Sequence, residues 1–378
     1  MEKQNGSSID ATIVIEKTEM GTLDKFIIKK FVSNFVFMIA AFVIISVIFD
    51  LSENIDDFLQ SDATFWQIIT KYYLNFCFYF GNLLSSFIVF LTVIWFTSKL
   101  AQQSEMIAIL SGGISYKRIL RPYLMFASFM AMLSLLLSHF IVPWANTTKY
   151  EFELKYIKKA LTVSQTNLHR EVAPGTLAHF YRVNAATSSG SQFSLEQWDN
   201  GKLIQKITAH GASSQPNSNQ WKIERALIRS WDKNGNEKLM FKPQLDTILP
   251  MTIEDFALRA EIMSAMDTPE LMAFIEEQRL SGSGRVKEFE VELHSRTSNA
   301  FAIIILTLIG VTIASRKIRG GTGVHLLLAV VLGFVYVFIS KVTAVSAVTV
   351  GVPVIIAVWI PNIFFMLLSA YLYKKAQK

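Results

Sequence analysis

The chain has 378 residues, 51% of them hydrophobic and only 17% charged, with basic side chains exceeding acidic ones by six. Soluble domains carry about 25% charged residues, so this composition excludes a disordered chain and argues against an ordinary soluble enzyme. A single cysteine, Cys77, excludes an intrachain disulfide framework and a cysteine-based zinc site.

Charge-free runs mark the elements in chain order. After a polar leader of twenty residues, run 31–49 lacks Asp, Glu, Lys and Arg, and runs 72–98 and 122–148 follow. A polar block, 149–295, separates them from runs 297–315, 322–340 and 342–373; Gly351-Val352-Pro353 shortens the last to a span at 354–373. A bilayer-spanning helix needs about 20 apolar residues, and each run supplies them. The first run lies too deep in the chain and is too long for a cleavable signal peptide. The expected fold is an α-helical integral membrane protein with six transmembrane helices, three on either side of an inserted domain.

Within that insert, segments 177–183, 193–198, 202–212, 221–231 and 238–242 are rich in β-branched and aromatic residues. Turn residues separate them: Ser188-Ser189-Gly190, Asp199-Asn200-Gly201, Pro216-Asn217-Ser218-Asn219 and Lys233-Asn234-Gly235. Asn-Gly between alternating strands predicts a hairpin, because both central residues of its turn need positive φ. A meander or jellyroll-like sheet of about six to nine strands is expected. Thr268-Pro269 then opens a helix to about Leu280, Ser281-Gly282-Ser283-Gly284 ends it, and 288–296 leads into the fourth span.

Lysine and arginine set the orientation. Fifteen lie in the N-terminal segment, the second-to-third and fourth-to-fifth connections and the C-terminal tail; the two short loops opposite hold only Lys71 and Lys341. Both termini are therefore expected in the cytoplasm and residues 149–295 on the outer side of the membrane. The central block, with Arg296 at its edge, holds 19 basic and 19 acidic residues. The excess positive charge thus belongs to the membrane flanks, and a nucleic-acid partner loses its support.

The chain carries no phosphate-binding Gly-x-x-x-x-Gly-Lys-Ser/Thr loop, no His-Glu-x-x-His and no Gly-x-Ser-x-Gly. Its six histidines show no metal-ligand spacing, and the spans hold no carboxylate of the kind proton-coupled carriers use. No catalytic residue, metal or cofactor is expected.

Three stretches together resemble the LptF/LptG (YjgP/YjgQ) family of lipopolysaccharide-export permeases. They are Leu23–Phe31 (LDKFIIKKF), the connection Ser104–Ser115 (SEMIAILSGGIS), and Glu292-Leu293-His294-Ser295-Arg296 with Arg319-Gly320-Gly321-Thr322-Gly323. The layout of three spans, a periplasmic β-jellyroll and three spans matches as well. The resemblance implies a permease subunit of an ABC exporter in a Gram-negative inner membrane, without catalysis of its own. ATP would be used by a separate LptB-like ATPase dimer. A second LptF/LptG-type chain would complete the permease, and lipopolysaccharide would pass to an LptC/LptA-like bridge.

On this resemblance the connection 98–121 is a coupling loop, with Glu105, Met106, Ile109 and Arg118 as the residues that engage the ATPase. The plainer alternative for Glu105 is a solvated charge on a helix at the membrane surface. Lys341, Arg296, Phe35 and Phe338 are candidates for lipid contact: the cations for lipid A phosphates, the rings for acyl chains. Snorkelling, interfacial anchoring and ordinary packing are the alternatives for these four. The family's first and fifth spans form a lateral gate. Acids at 50, 53, 56 and 57 depart from the family's basic outer end of the first span. The competing reading is a membrane-anchored periplasmic lipid-binding or scaffold protein without an ATPase partner.

Overall fold

The computed structural model describes residues 21–157, 162–184, 187–214, 219–232, 235–249, 251, 260–280 and 285–376. The polar leader 1–20, the turn residues 216–218 and 233–234, and the expected helix break 281–284 lie outside the described residues.

Long apolar rods dominate. The first, α1 (Thr22–Gln60), runs well past its charge-free stretch at both ends. The second is built from α2 (Phe65–Gln67), a π-helical stretch (Ile68–Tyr73), α3 (Leu74–Leu83) and α4 (Ser85–Gln102). A short helix, α5 (Glu105–Ser111), follows. The third rod is α6 (Tyr116–Leu136), a π-helical turn (Leu137–Ile141) and α7 (Val142–Tyr156). Beyond the sheet come α8 (Ala260–Ala265), α9 (Thr268–Leu280), α10 (Val286–Ala314), α11 (Gly321–Thr349) and α12 (Val354–Ala376). Six helices are long and apolar enough to cross a bilayer, in the expected three-plus-three arrangement. Helices α1, α10 and α11 are longer than their charge-free runs because backbone hydrogen bonding continues through polar residues that meet water.

Apolar surface gains little by leaving lipid for protein, so polar side chains and close packing must specify contacts between spans. Asn362 Nδ2 donates to the Ser298 carbonyl and hydroxyl at 2.8 and 2.9 Å, and Tyr336 OH donates to Asn362 Oδ1 at 3.0 Å. One buried amide therefore joins α10, α11 and α12. Asn82 does the same between the second and third rods, donating to Ser138 Oγ and accepting from Ser134 Oγ. Thr97 and Tyr123 bond across α4 and α6 at 3.1 Å.

Burial is uneven among the spans. Only 11% of the most apolar stretch of α1 is buried, and 22% of that of α11, against 61% in α10 and 72% in α4. The two bare helices flank α4: the Phe87 ring of α4 meets Phe42 of α1 edge-on at 6.1 Å, and Gly333 of α11 lies over the same ring.

The insert is a six-stranded antiparallel sheet: β1 (Thr162–Ala173), β2 (Thr176–Asn184), β3 (Ser189–Asp199), β4 (Lys202–Ser214), β5 (Gln220–Trp231) and β6 (Glu237–Ile248). Strand order follows the chain, a plain meander. Asn200 and Gly201 sit at φ of 47° and 75° between β3 and β4, the positive-φ pair the Asn-Gly signal demands. Strand β1 was not anticipated. As an edge strand its sequence is mostly polar (TVSQTNLHREVA), so alternation is faint. Strand β6 continues through Pro243, which an edge tolerates because the missing N–H breaks no inner ladder. The sheet occupies only 162–248 of the 149–295 block. The remainder includes the end of α7, all of α8 and α9, and the start of α10.

The sheet's core stacks Phe180, Phe193 and Trp221, with Trp221 Nε1 donating to the Met251 carbonyl at 3.0 Å. Gly190 of β3 lies against Phe180, and a Cβ there would sit 2.3 Å from that ring. Phe180 is fully buried and has nowhere to retreat. Gly190→Ala is therefore expected to destabilise the insert by about 1–3 kcal/mol of overpacking, read as a lowered Tm of the purified chain in detergent; an unchanged Tm would contradict this packing.

Candidate functional site

Among the described residues, the basic connections and the foot of α1 meet at the end of the spans that carries α5. Gln102 Nε2 donates to the Ile318 carbonyl at 3.2 Å, and Lys317 Nζ to Ser104 Oγ at 3.2 Å, tying the α4–α5 corner to the α10–α11 connection. Tyr116, at the start of α6, lies within 3.5 Å of Ser315 Oγ and packs its ring on Tyr373 of α12. Arg118, two residues further on, reaches the first turn of α1.

That last contact is the strongest of the set. Arg118 grips the carboxylate of Asp24 with both terminal nitrogens, at 2.5 and 2.7 Å. Asp24 is 1% exposed, and the oxygen facing Nη2 also accepts the Gly21 backbone N–H at 3.1 Å, so the same carboxylate caps α1. A bidentate pair of this kind is short, charge-assisted and direction-specific. Asp24 is buried while 26% of the Arg118 side chain stays exposed, so removing the arginine strands a buried carboxylate.

Helix α5 has seven residues, too few to hold itself together in water. Its corner is sharp: Ser104 adopts φ of 59°, a left-handed conformation that a non-glycine residue enters at a cost. Packing holds it in place. Met106 is 1% exposed and joins the buried cluster of Ile27, Phe31, Leu100, Ile119 and Tyr123, with Ile109 packed against it. Glu105, Ile107, Ala108 and Leu110 face outward. Among the described residues the Glu105 carboxylate has no ion-pair partner.

The four residues expected to engage a partner thus divide. Glu105 lies on the exposed face of α5. Met106 and Ile109 lie on its inner face, and Arg118 is bound to Asp24. Ile107 and Leu110, exposed apolar residues on that helix, were not singled out. Both helix faces are apolar, so spacing alone leaves open which one meets the protein.

The four candidates for lipid contact also divide. Phe338 (59% exposed) and Lys341 stand three residues apart on the bare face of α11. Phe35 is buried against Phe126 of α6 at 6.1 Å. Arg296 is interior: it donates to the Met263 and Met266 carbonyls at 2.8 and 3.0 Å and reaches Thr268 Oγ1 and Glu292, clamping α10 to the α8–α9 corner. The acids at the far end of α1 are partly internalised, with Asp50 accepting from Tyr72 OH at 3.0 Å.

The two faces of α5 can be told apart by thiol labelling in a Cys77→Ser background. Ile107→Cys is expected to react with a water-soluble maleimide at a rate close to that of an unfolded control, and Met106→Cys to be strongly protected. Equal labelling of both would refute this orientation.

Comparison with known proteins bears on the whole chain. No curated protein sequence matches it. A family model does match, over residues 25–375, and its description is lipopolysaccharide export system permease LptF/LptG. The match takes in all six spans, α5 and the sheet, and the chain belongs to the LptF/LptG family of lipopolysaccharide export permeases.

Proposed function

We propose that this chain is one transmembrane half of an ABC exporter, extracting lipopolysaccharide from the inner membrane and passing it to a periplasmic LptC/LptA-like bridge. The observation that carries this reading is α5: a short helix pinned by Met106 to the core of the spans, presenting Glu105, Ile107 and Leu110 outward. A surface built this way suits a cytoplasmic partner that must push on the membrane domain. Family membership supports the cargo.

In this reading an LptB-like ATPase dimer docks on α5 and hydrolyses the ATP, and a second LptF/LptG-type chain supplies the other half. Both termini are cytoplasmic and the sheet is periplasmic, as the lysine and arginine distribution favours. Glu105, Ile107 and Leu110 make the contact, while Met106 and Ile109 pass the movement inward. Helices α1 and α11 supply the wall that lipid crosses, as the family resemblance implies for the first and fifth spans, and their open faces suit that role. Phe338 and Lys341 lie on the α11 part of that wall, where the ammonium suits a lipid A phosphate. Phe35 and Arg296 support the wall from inside the protein.

The test is co-purification from detergent of wild type, Glu105→Ala and Ile107→Asp. Wild type is expected to retain an ATPase and a second six-span chain. Ile107→Asp, which sets a charge in an apolar contact, is expected to lose the ATPase, and Glu105→Ala to weaken ATP-driven lipopolysaccharide release by about tenfold, the scale of one charged contact. Wild type without any ATPase would overturn the exporter reading and favour a membrane-anchored lipid-binding protein.

A further inference from the structure

We infer that Asp24 and Arg118 are the positioning pair through which movement of α5 reaches α1; this rests on the coupling role proposed for α5. The first observation is the completeness of the grip. Both carboxylate oxygens are engaged by Arg118, one of them also by the Gly21 N–H, and Asp24 is buried. Neutral Asn offers one acceptor atom instead of two, and Lys offers a point charge instead of a fork, so neither side has an equivalent substitute.

The second observation is where the pair sits. Arg118 lies in the first turn of α6, whose N-cap Ser115 accepts the Arg118 backbone N–H at 3.3 Å. Gly112-Gly113 is all that separates Ser115 and Ile114 from the end of α5. Asp24 lies in the first turn of α1. One bidentate contact thus joins the foot of α1 to the element that follows α5 directly.

The third observation is the shape of α1 above that foot. Its buried residues are Asp24, Ile27, Phe31 and Phe35 at one end and Phe58 at the other, with none between Phe35 and Phe58. Near the foot, Phe31 packs edge-on against Phe126 of α6 at 4.2 Å. A stiff helix held at its foot and open along its middle turns a small displacement of the foot into a larger one along its bare face. The connection from α5 to the other bare helix is of a different kind. Lys317–Ser104 is an exposed hydrogen bond, and the contact from Gln102 to the Ile318 carbonyl is half-buried. Each of these is a single hydrogen bond, whereas Arg118 and Asp24 share two short charge-assisted ones on a buried carboxylate. The pair therefore ties α1 to the element that follows α5 more firmly than these contacts tie the α10–α11 connection to α5.

The experiment uses the complete complex in lipid vesicles, with Arg118→Lys and Asp24→Asn beside wild type in a Cys77→Ser background. Spin labels at Phe37 on the bare face of α1 and Leu367 on α12 report the distance with and without ADP-vanadate. ATPase co-purification, hydrolysis and lipopolysaccharide released per ATP are measured alongside. In Arg118→Lys, bound ATPase and hydrolysis are expected to persist while the nucleotide-driven distance change at Phe37 is lost. Release per ATP is expected to fall by about tenfold, an ordinary coupling magnitude. Wild-type distance changes and release in both variants would overturn the inference and leave the exporter reading intact. Loss of ATPase binding in Arg118→Lys would also overturn it, since a purely structural staple predicts that result. Wild type without bound ATPase would sink the exporter reading, and the inference with it.

Discussion

The ion pair between the buried Asp24 and the partly exposed Arg118 is the interaction on which the basic end of this molecule depends. A carboxylate removed from water must be matched, and here a single guanidinium fork matches it while the Gly21 amide completes the shell. Once that pair is made, the first turns of α1 and α6 are fixed relative to each other. Ile27 and Phe31 then meet Ile119, Tyr123 and Phe126, and Met106 of α5 has a cluster to enter. The short helix exists because that cluster exists; seven residues bent through a left-handed serine would not persist alone.

Elsewhere the same economy of polar groups decides which spans are rigid. Asn362, Ser298 and Tyr336 lock α10, α11 and α12 at one depth, and Asn82 with Ser134 and Ser138 locks the second rod to the third. Arg296 extends the pattern to the sheet side, where its guanidinium fastens the α8–α9 corner to α10. What remains is a fixed middle formed by α4 and α10, flanked by α1 and α11 with open apolar faces. Such a division offers a large amphiphile open apolar helix faces beside a packed middle. The sheet meets a different need: its Phe180–Phe193–Trp221 stack stabilises an insert that gains nothing from the bilayer.

Much of this was legible in the residues. Charge-free runs located all six spans, since no other fold class sustains about twenty apolar residues so often. Asn200-Gly201 announced its hairpin because the turn has so few chemical solutions. Three features were not legible, each for a physical reason. Strand β1 is a polar edge without alternation. Both the inner and the outer face of α5 carry large apolar residues, so Met106 and Ile107 cannot be ranked by residue type. Arg296 reads as a cation at a membrane boundary, and only the arrival of the Met263 and Met266 carbonyls from a distant segment makes it interior. Asp24 stood in plain sight within a recognisable segment, yet its partner lies 94 positions away.

The central claim is that the open faces of α1 and α11 carry lipopolysaccharide. Its most direct measurement places a photo-crosslinking amino acid at Phe37, at Phe338 and, as a control on an equally open face, at Leu367 of α12. Capture of lipopolysaccharide at the first two positions, reduced when ATP is supplied, with little capture at Leu367, is the predicted result. Equal capture at all three, or capture confined to α12, would contradict it.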